Sequence, residues 1–132
     1  MWLPDTNAWI ALINPRPSPV KTRFESHTPA SIYLCDVVKA ELYYGAFRSA
    51  RREENLALLE RLFPTFLSFP FNGAAARACG QIRAVLAAAG TPIGPYDLQI
   101  AAIALVHGLT VVTHNTAEFG RVAELKTQDW EI

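Results

Sequence analysis

Short apolar runs of strand length alternate with longer helix-like segments along this chain, and this alternation restricts its fold more than any other feature. The runs with strand character are residues 2–5, 32–35, 66–69 and 110–113, with 126–130 as a candidate edge strand. Helical patterns fall between them, at residues 9–13, 20–26, 37–52, 53–63, 73–89 and 98–107. Strands that alternate with helices predict an α/β fold, with a mainly parallel central sheet flanked by helices.

Several residues mark where these helices begin and end. Gly90 and Gly108 follow helical patterns, at the position where a helix commonly stops. Asp36 directly follows the second strand and is interpreted as the N-cap of the next helix. Only Gly45 interrupts that helix, which we therefore predict to continue to about Arg52. The segment 98–107 is almost entirely apolar and predicts a helix in the core.

Length and composition limit the class of protein. A chain of 132 residues predicts one domain, residues 1–132. Its content of 51% hydrophobic and 18% charged residues argues against disorder. No apolar run reaches the length of a membrane-spanning helix, and the N-terminus has no basic region typical of a signal peptide. Cys35 and Cys79 are too few for a disulfide scaffold, so we expect free thiols in a reducing, cytoplasmic setting.

The charges and motifs exclude several functions. Twelve basic and 12 acidic residues give a formal net charge of zero, so any nucleic acid must be bound by a local patch. The chain has no phosphate-binding loop, no dinucleotide-binding glycine motif, no paired zinc ligands and no nucleophile elbow. His27, His107 and His114 are scattered, and we interpret each as structural or incidental.

The acidic residues fall where the predicted strands end. Asp5 ends the first strand, Asp36 ends the second, and Glu41 lies one turn into the following helix. Asp97 opens the apolar helix, and Asn115 follows the strand at 110–113. Because the carboxyl ends of parallel strands line the functional crevice of open α/β sheets, these side chains can converge there.

Each acid also has a simpler interpretation. Glu41 has no basic residue three or four positions away, and a carboxylate on an apolar face is costly unless it is paired or binds metal. It can instead reach solvent or a distant arginine. Asp5 and Asp97 can both be helix N-caps. For Asp36 the cap is the better interpretation.

Four segments of the sequence resemble, in order, the sequence blocks of PIN-domain ribonucleases, and among these the VapC toxins of prokaryotic toxin–antitoxin pairs. They are residues 3–7 (LPDTN), 38–45 (VKAELYYG), 93–102 (IGPYDLQIAA) and 112–119 (VTHNTAEF). Each block alone is weakly specific, but together they span nearly the whole chain in the family's order. The resemblance implies a single PIN-like domain and a Mg²⁺- or Mn²⁺-dependent endoribonuclease.

The resemblance also implies a set of site residues. The family's metal-binding acids fall on Asp5, Glu41 and Asp97. The fourth catalytic position falls on Asn115, where many relatives have aspartate and others asparagine. Compared with aspartate, one negative charge is lost, which puts tight binding of a second ion in doubt. Glu118 is a candidate to compensate for that charge. The supporting pair beside the first acid falls on Thr6 and Asn7.

The partners implied by the resemblance are an RNA substrate, a cognate antitoxin and a second copy of the chain. Arg48, Arg51 and Arg52 are candidate phosphate contacts, or else a solvated basic end of the Glu41 helix. The helix at 53–63 has two apolar stripes. They are Leu56, Leu59 and Phe63 on one side, and Leu58 and Leu62 on the other. These stripes pack into the core or contribute to the antitoxin groove and the dimer interface.

Two other functions compete with the ribonuclease. An aspartate-nucleophile phosphatase would use Asp5, but such enzymes usually carry a second aspartate two residues later, where this chain has Asn7. A non-catalytic PIN-like module that binds RNA or protein is the other alternative. Retention of all three acids argues against it.

Overall fold

The structure is a computed structural model of the chain and describes residues 1–132. The strands are β1 (Trp2–Pro4), β2 (Leu34–Cys35), β3 (Ser68–Phe69), β4 (Thr110–Val112) and β5 (Thr127–Gln128). The helices are α1 (Thr6–Ile13), α2 (Pro19–Glu25), α3 (Asp36–Arg48), α4 (Arg52–Leu62), α5 (Gly73–Ala88), α6 (Pro95–His107) and α7 (Thr116–Phe119). Short 3-10 turns cover Pro29–Ser31 and Phe63–Thr65. The predicted alternation of strands and helices is confirmed.

Every strand pairing in the structure is parallel. β1 pairs with β4 and β4 pairs with β5, while β2 pairs with β3. The two groups are joined where the Tyr33 amide donates to the Trp2 carbonyl at 2.9 Å, beside a parallel bridge between Trp2 and Ile32. The strand order is therefore β3-β2-β1-β4-β5. Because parallel strands need crossover connections, the helices lie between them and cover the sheet.

The core lies between the sheet and the apolar helix α6. Leu3, Leu34 and Val111 are fully buried in three neighbouring strands. The α6 segment from Ile100 to Ala104 is also fully buried, which confirms the predicted core helix. Gly108 ends α6 with a φ of 64°, a left-handed conformation that glycine adopts without steric cost. This helix carries Asp97 at its opposite end, close to the sheet.

Two expectations about α3 are wrong. Asp36 is the first residue of the helix and not its cap, because the extended Cys35 occupies the cap position and makes no side-chain cap bond. The helix also ends at Arg48 and does not continue to Arg52. Ser49 is extended, and its hydroxyl donates to the Ala46 carbonyl at 2.8 Å, so the side chain satisfies an acceptor that another helical turn would have used.

No helix of the structure combines the length and the apolar character needed to cross a membrane.

Candidate active site

The candidate site lies where β1 and β4 end and where α1 and α6 begin. Asp5 follows β1 and caps α1, because its Oδ1 accepts a hydrogen bond from the Ala8 amide at 2.9 Å. The Asp5 amide donates to the Val112 carbonyl of β4 at 2.9 Å, which holds the two strand ends together. Asp5 is 5% exposed, so its carboxylate is buried as well as capping a helix.

Glu41 comes from the second turn of α3 and reaches α1. Its Oε1 accepts a hydrogen bond from the Thr6 hydroxyl at 2.6 Å, across 35 positions of sequence. Thr6 directly follows Asp5, so this contact places Glu41 beside the end of β1. The only ion pairs within 4.0 Å in the chain join Arg51 to Glu54 and His114 to two carboxylates, so no arginine compensates Glu41.

Asp97 is the third residue of α6, and Gly94 holds the cap position, so the cap interpretation of Asp97 is wrong. Its Oδ2 lies 3.5 Å from Asn115 Nδ2, and the same amide group also donates to Glu118 Oε2. Glu118 Oε1 in turn accepts from the Gly94 amide at 2.5 Å. Glu118 therefore ties the loop before α6 to the end of β4, and Asn115 lies between the two carboxylates.

The electrostatics show that Asp5, Glu41 and Asp97, here called the acid centre, act on one another. Burial, together with the charges of Glu118, Asp5 and Glu41, raises the pKa of Asp97 to about 6. Burial also raises the pKa of Asp5, with a smaller contribution from Glu41, against hydrogen bonds from Thr113 and Ala8 that lower it. Carboxylates without a cationic partner are the arrangement that a divalent ion with oxygen ligands relieves.

The carboxylate oxygens of the acid centre are not all within 4.8 Å of one another, so its three acids do not by themselves surround an ion. The one group of three titratable side chains whose ligand atoms all lie within 4.8 Å of one another is His114, Asp129 and Glu131. Magnesium usually binds through one or two carboxylates and keeps several of its waters. The donors present at the acid centre therefore fit this ion.

Comparison with known proteins decides the family. The PIN domain family profile matches residues 2–125. This chain belongs to the PIN-domain family. It is 42% identical over 126 residues to the tRNA(fMet)-specific endonuclease VapC of Shigella flexneri, covering 96% of this chain and 95% of that protein. It is 36% identical over 126 residues to ribonuclease VapC2 of Haemophilus influenzae, covering 96% of this chain and 95% of the relative.

Solved structures agree with the family. The chain superposes on the DNA-bound VapBC structure from Salmonella typhimurium with a TM-score of 0.90 and 39% identity, covering 98% of this chain and 97% of that one. The FitAcB structure from Neisseria gonorrhoeae gives a TM-score of 0.89 at 29% identity, covering 98% of both chains. The predicted resemblance and the predicted fold class are both confirmed.

The PIN domain also contains a second group of polar residues that the sequence did not reveal. His114 Nδ1 lies 2.9 Å from Asp129 Oδ2 and 2.7 Å from Glu131 Oε2. We call these three residues the His114 cluster. These contacts agree with the structural role predicted for His114. No local pattern signals this cluster, because Trp130 and Glu131 lie in a turn after β5, and the pairing of β5 with β4 brings that turn to His114.

The other two histidines make aromatic contacts. His107 stacks on Phe69 at a centroid distance of 3.7 Å, and His27 stacks on Trp130 at 5.1 Å. Both contacts agree with the structural role predicted for these two residues.

The three arginines predicted to contact phosphate are exposed, and each contacts a residue close to it in sequence. The Arg48 guanidinium lies over the Tyr44 ring at 5.3 Å, and Arg51 pairs with Glu54 at 3.1 Å. Arg52 Nε donates to the Phe47 carbonyl at 3.0 Å. Only Arg48 lies at the C-terminal end of α3, because Arg52 begins α4. A single basic helix end is therefore the wrong description of these three residues.

The predicted apolar stripes of α4 are mostly buried. Leu59 and Phe63 are 4% and 7% exposed, and Leu56, Leu58 and Leu62 are half-buried against the core. The exposed apolar side chains of this region lie on α1 and α3 instead, at Ile10, Tyr44 and Phe47. A cavity of about 350 Å³ lies between α1, α3 and α4. Its lining includes Glu41, so it opens beside the acid centre.

Proposed function

We propose that this chain is a Mg²⁺- or Mn²⁺-dependent endoribonuclease that acts in the cytoplasm as the toxin of a toxin–antitoxin pair. The observation that carries the proposal is the acid centre: Asp5, Glu41 and Asp97 lie at the carboxyl edge of a parallel sheet without a cationic partner. The names of the relatives support the reaction class, since they are an endonuclease and ribonucleases.

The residues of the acid centre have distinct roles in this proposal. Asp5, Asp97 and Glu41 hold the ion, and the Thr6 hydroxyl orients Glu41 through its 2.6 Å hydrogen bond. A bound divalent ion lowers the pKa of a coordinated water and stabilises negative charge on the leaving oxygen of a phosphodiester. Asn115 lies at the edge of the centre and brings an amide where a further carboxylate would add charge.

The remaining candidates support the centre or the substrate. Glu118 fixes the loop at Gly94 through its carboxylate, and exposed Asn7 lines a neighbouring cavity. Arg48, Arg51 and Arg52 provide positive charge for RNA phosphates around the site. Because the acids repel phosphate until they are neutralised, we expect metal and RNA to bind cooperatively.

Transfer RNA is the substrate class to test first, because the Shigella relative is named for tRNA(fMet). Purified protein is incubated with tRNA or ribosomal RNA, with Mg²⁺, Mn²⁺ or a chelator, and the new RNA ends are sequenced. We expect metal-dependent cleavage that Asp5→Asn abolishes. Asp36→Asn is the matched control, because Asp36 is an exposed aspartate at the start of α3.

The same experiment separates the alternatives. RNA binding without cleavage in every metal condition supports the non-catalytic PIN-like module. Release of phosphate from a phosphomonoester, with RNA left intact, supports the phosphatase. Cleavage that persists in Asp5→Asn at the wild-type rate contradicts the proposed site.

We further propose that the antitoxin covers the cavity between α1, α3 and α4. Its apolar wall includes Ile10, Ile13 and Leu42, and its lining reaches Glu41. An apolar segment of the partner fits this wall, and a basic side chain next to it pairs with the acid centre. A bidentate arginine there competes with both metal and phosphate.

Copurification with the product of the neighbouring gene, followed by hydrogen exchange, tests this mode of inhibition. We expect protection of α1 and of residues 37–63, and loss of the complex in Ile10→Ser, because exposed Ile10 lines this cavity. Leu67→Ser is the matched control, because Leu67 is also exposed but lies next to β3. Protection confined to other regions contradicts this mode of inhibition and leaves the nuclease proposal intact.

The proposed homodimer has a candidate surface formed by α5, the C-terminal half of α6 and residues 121–124. Exposed Val85 and Val106 line a cavity of about 350 Å³ between α5, α6 and the 121–124 segment. Light scattering on the purified chain is expected to give twice the mass of 14.6 kDa. Val85→Asp is expected to reduce the mass to that of a monomer, because it places a charge in an apolar interface.

A further inference from the structure

We propose that the His114 cluster is a second divalent-cation site, separate from the acid centre, which takes a borderline transition-metal ion such as Zn²⁺ or Co²⁺. The proposal concerns metal binding alone, so it stands or falls independently of the nuclease function.

The three candidate ligand atoms of the His114 cluster already lie close together in the structure. His114 Nδ1 is 2.9 Å from Asp129 Oδ2 and 2.7 Å from Glu131 Oε2, and one ligand atom of each residue lies within 4.8 Å of the other two. Ligands at about 2.1 Å from a metal are separated by about 3.0 Å at a right angle and about 3.4 Å at the tetrahedral angle. The two measured separations therefore need to widen by only a few tenths of an ångström.

The backbone presents these carboxylates on one side of an anchored segment. Trp130, between them in sequence, is 1% exposed, and its Nε1 donates to Gln128 Oε1 at 2.7 Å. Arg23 binds the same oxygen at 3.3 Å and the carbonyl of Ile132 at 3.2 Å. The chain turns after β5, and Asp129 and Glu131, on either side of buried Trp130 in sequence, both reach His114 Nδ1.

Asp129 is itself oriented by the chain. Its Oδ1 accepts from the Glu131 amide at 2.9 Å, which leaves Oδ2 directed at His114. A hydrogen bond that fixes a ligating carboxylate in this way is typical of metal sites. Asp129 is 12% exposed at its side chain, whereas His114 is 68% exposed. The cluster is thus rigid on its protein side and open to solvent on the other.

Space for the solvent ligands of an ion is present. A cavity of about 210 Å³ adjoins the cluster, and its lining includes all three donors together with Asn7 and Thr113. This volume holds several waters, since a water occupies about 30 Å³ in the liquid.

The two sites differ in their donor atoms and therefore in the metal ions that they prefer. The acid centre offers oxygen donors only, which suit Mg²⁺. The His114 cluster adds an imidazole nitrogen, which favours Zn²⁺, Co²⁺ and similar ions over Mg²⁺. His114 Nδ1 faces both carboxylates, so it is the nitrogen that binds the cation, and any proton it carries is released.

Co²⁺ is the probe, because its visible absorption reports nitrogen and oxygen ligands directly. The full chain is saturated with Mg²⁺ to occupy the acid centre and is then titrated with Co²⁺ alone. We expect one equivalent of Co²⁺ to bind, with visible bands that Zn²⁺ displaces. His114→Gln is expected to weaken this binding at least about tenfold, because it removes the nitrogen ligand. Asp97→Asn is expected to leave the Co²⁺ bands unchanged.

Two further variants keep the test decisive. His107→Gln is the matched histidine control. His107 lies in the last turn of α6, where it stacks on Phe69, and it is not part of the His114 cluster. Asp129→Asn repeats the ligand removal if His114→Gln fails to fold, as judged by circular dichroism. The proposal is overturned if the wild-type chain binds no Co²⁺ in Mg²⁺, if both ligand variants bind it normally, or if Asp97→Asn abolishes it.

Discussion

The acid centre and the His114 cluster are neighbours at the carboxyl edge of one sheet, and both are built from carboxylates, yet their charges are arranged in opposite ways. In the acid centre no basic side chain lies within 4.0 Å, and burial with neighbouring acids raises the pKa of Asp97 to about 6. In the His114 cluster the Glu131 amide and the imidazole lower the pKa of Asp129, and Asp129 raises that of His114.

This comparison shows that the partner, and not the residue type, decides what a carboxylate does in a fold. The acid centre keeps unrelieved repulsion, which lowers the stability of the metal-free protein and favours binding of a cation. In the His114 cluster one imidazole partly offsets two carboxylates, so this contact stabilises the fold in the absence of metal. Removing an acid should therefore have opposite consequences at the two places.

The largest expected effect is on activity. Asp97→Asn removes an ionic oxygen ligand from the acid centre, and we expect RNA cleavage to fall at least about 100-fold. Asp36→Asn, the same substitution at an exposed position, is expected to change the rate less than about twofold. Single-turnover cleavage of the identified RNA measures both. Equal losses in the two variants would show that the acid centre is not the reacting site.

The next effect is on metal affinity. Asn115→Asp adds a charged oxygen ligand with little change in size, so we expect Mg²⁺ to bind about three- to tenfold more tightly. Calorimetric titration of both proteins is the measurement. Equal or weaker affinity in the variant would mean that position 115 does not face the ion.

A smaller effect is expected on the thermal stability of the metal-free protein when Asp97 of the acid centre is replaced. The raised pKa of Asp97 means that the folded chain disfavours the charged form, so the penalty is present above about pH 6 and fades as the pH falls towards 4. Discounted for the partial exposure of Asp97, the penalty is about 1 kcal/mol. Asp97→Asn should raise Tm by about 3 °C at pH 7.5 in chelator, and by less at pH 5. A lower Tm at pH 7.5 would contradict the uncompensated charge.

The smallest effect is expected at the His114 cluster, with the opposite sign. Asp129→Asn should lower Tm of the metal-free protein by about 1–2 °C at pH 6. The pKa of His114 is raised, so the contribution of the charged pair is complete below the unfolded histidine value and is lost as the pH rises through the folded one. The loss should therefore be smaller at pH 9. Calorimetry that finds an equal loss at both pH values would show that the ion pair does not stabilise the fold.

The sequence predicted the order of elements well where the signals were local. The period of the apolar residues identified the buried strands and α6, and glycine marked the end of that helix because left-handed backbone is cheap only for glycine. The break at Ser49 was missed. Serine is compatible with a helix, and its residue type does not show that its hydroxyl donates to the Ala46 carbonyl and accepts from Asn55 at 2.9 Å.

The placement of Asp5, Asp97 and Asn115 near strand ends and helix starts also followed from the sequence, because residue order alone puts them there. Their roles as ligands stay a prediction. The approach of Glu41 to Thr6 depends on how α3 packs on α1, and no pattern within either helix specifies it.

By itself, the sequence determined a parallel α/β sheet, an apolar helix behind it and acids at the sheet edge, since periodicity and residue order are properties of neighbouring positions. Only the tertiary structure decided which charges have partners. His114 meets Asp129 and Glu131 because β5 pairs beside β4 and buried Trp130 anchors the turn that follows β5. The electrostatic energy of a carboxylate depends on distances of a few ångströms to groups far away in sequence, and those distances exist only once the chain has folded.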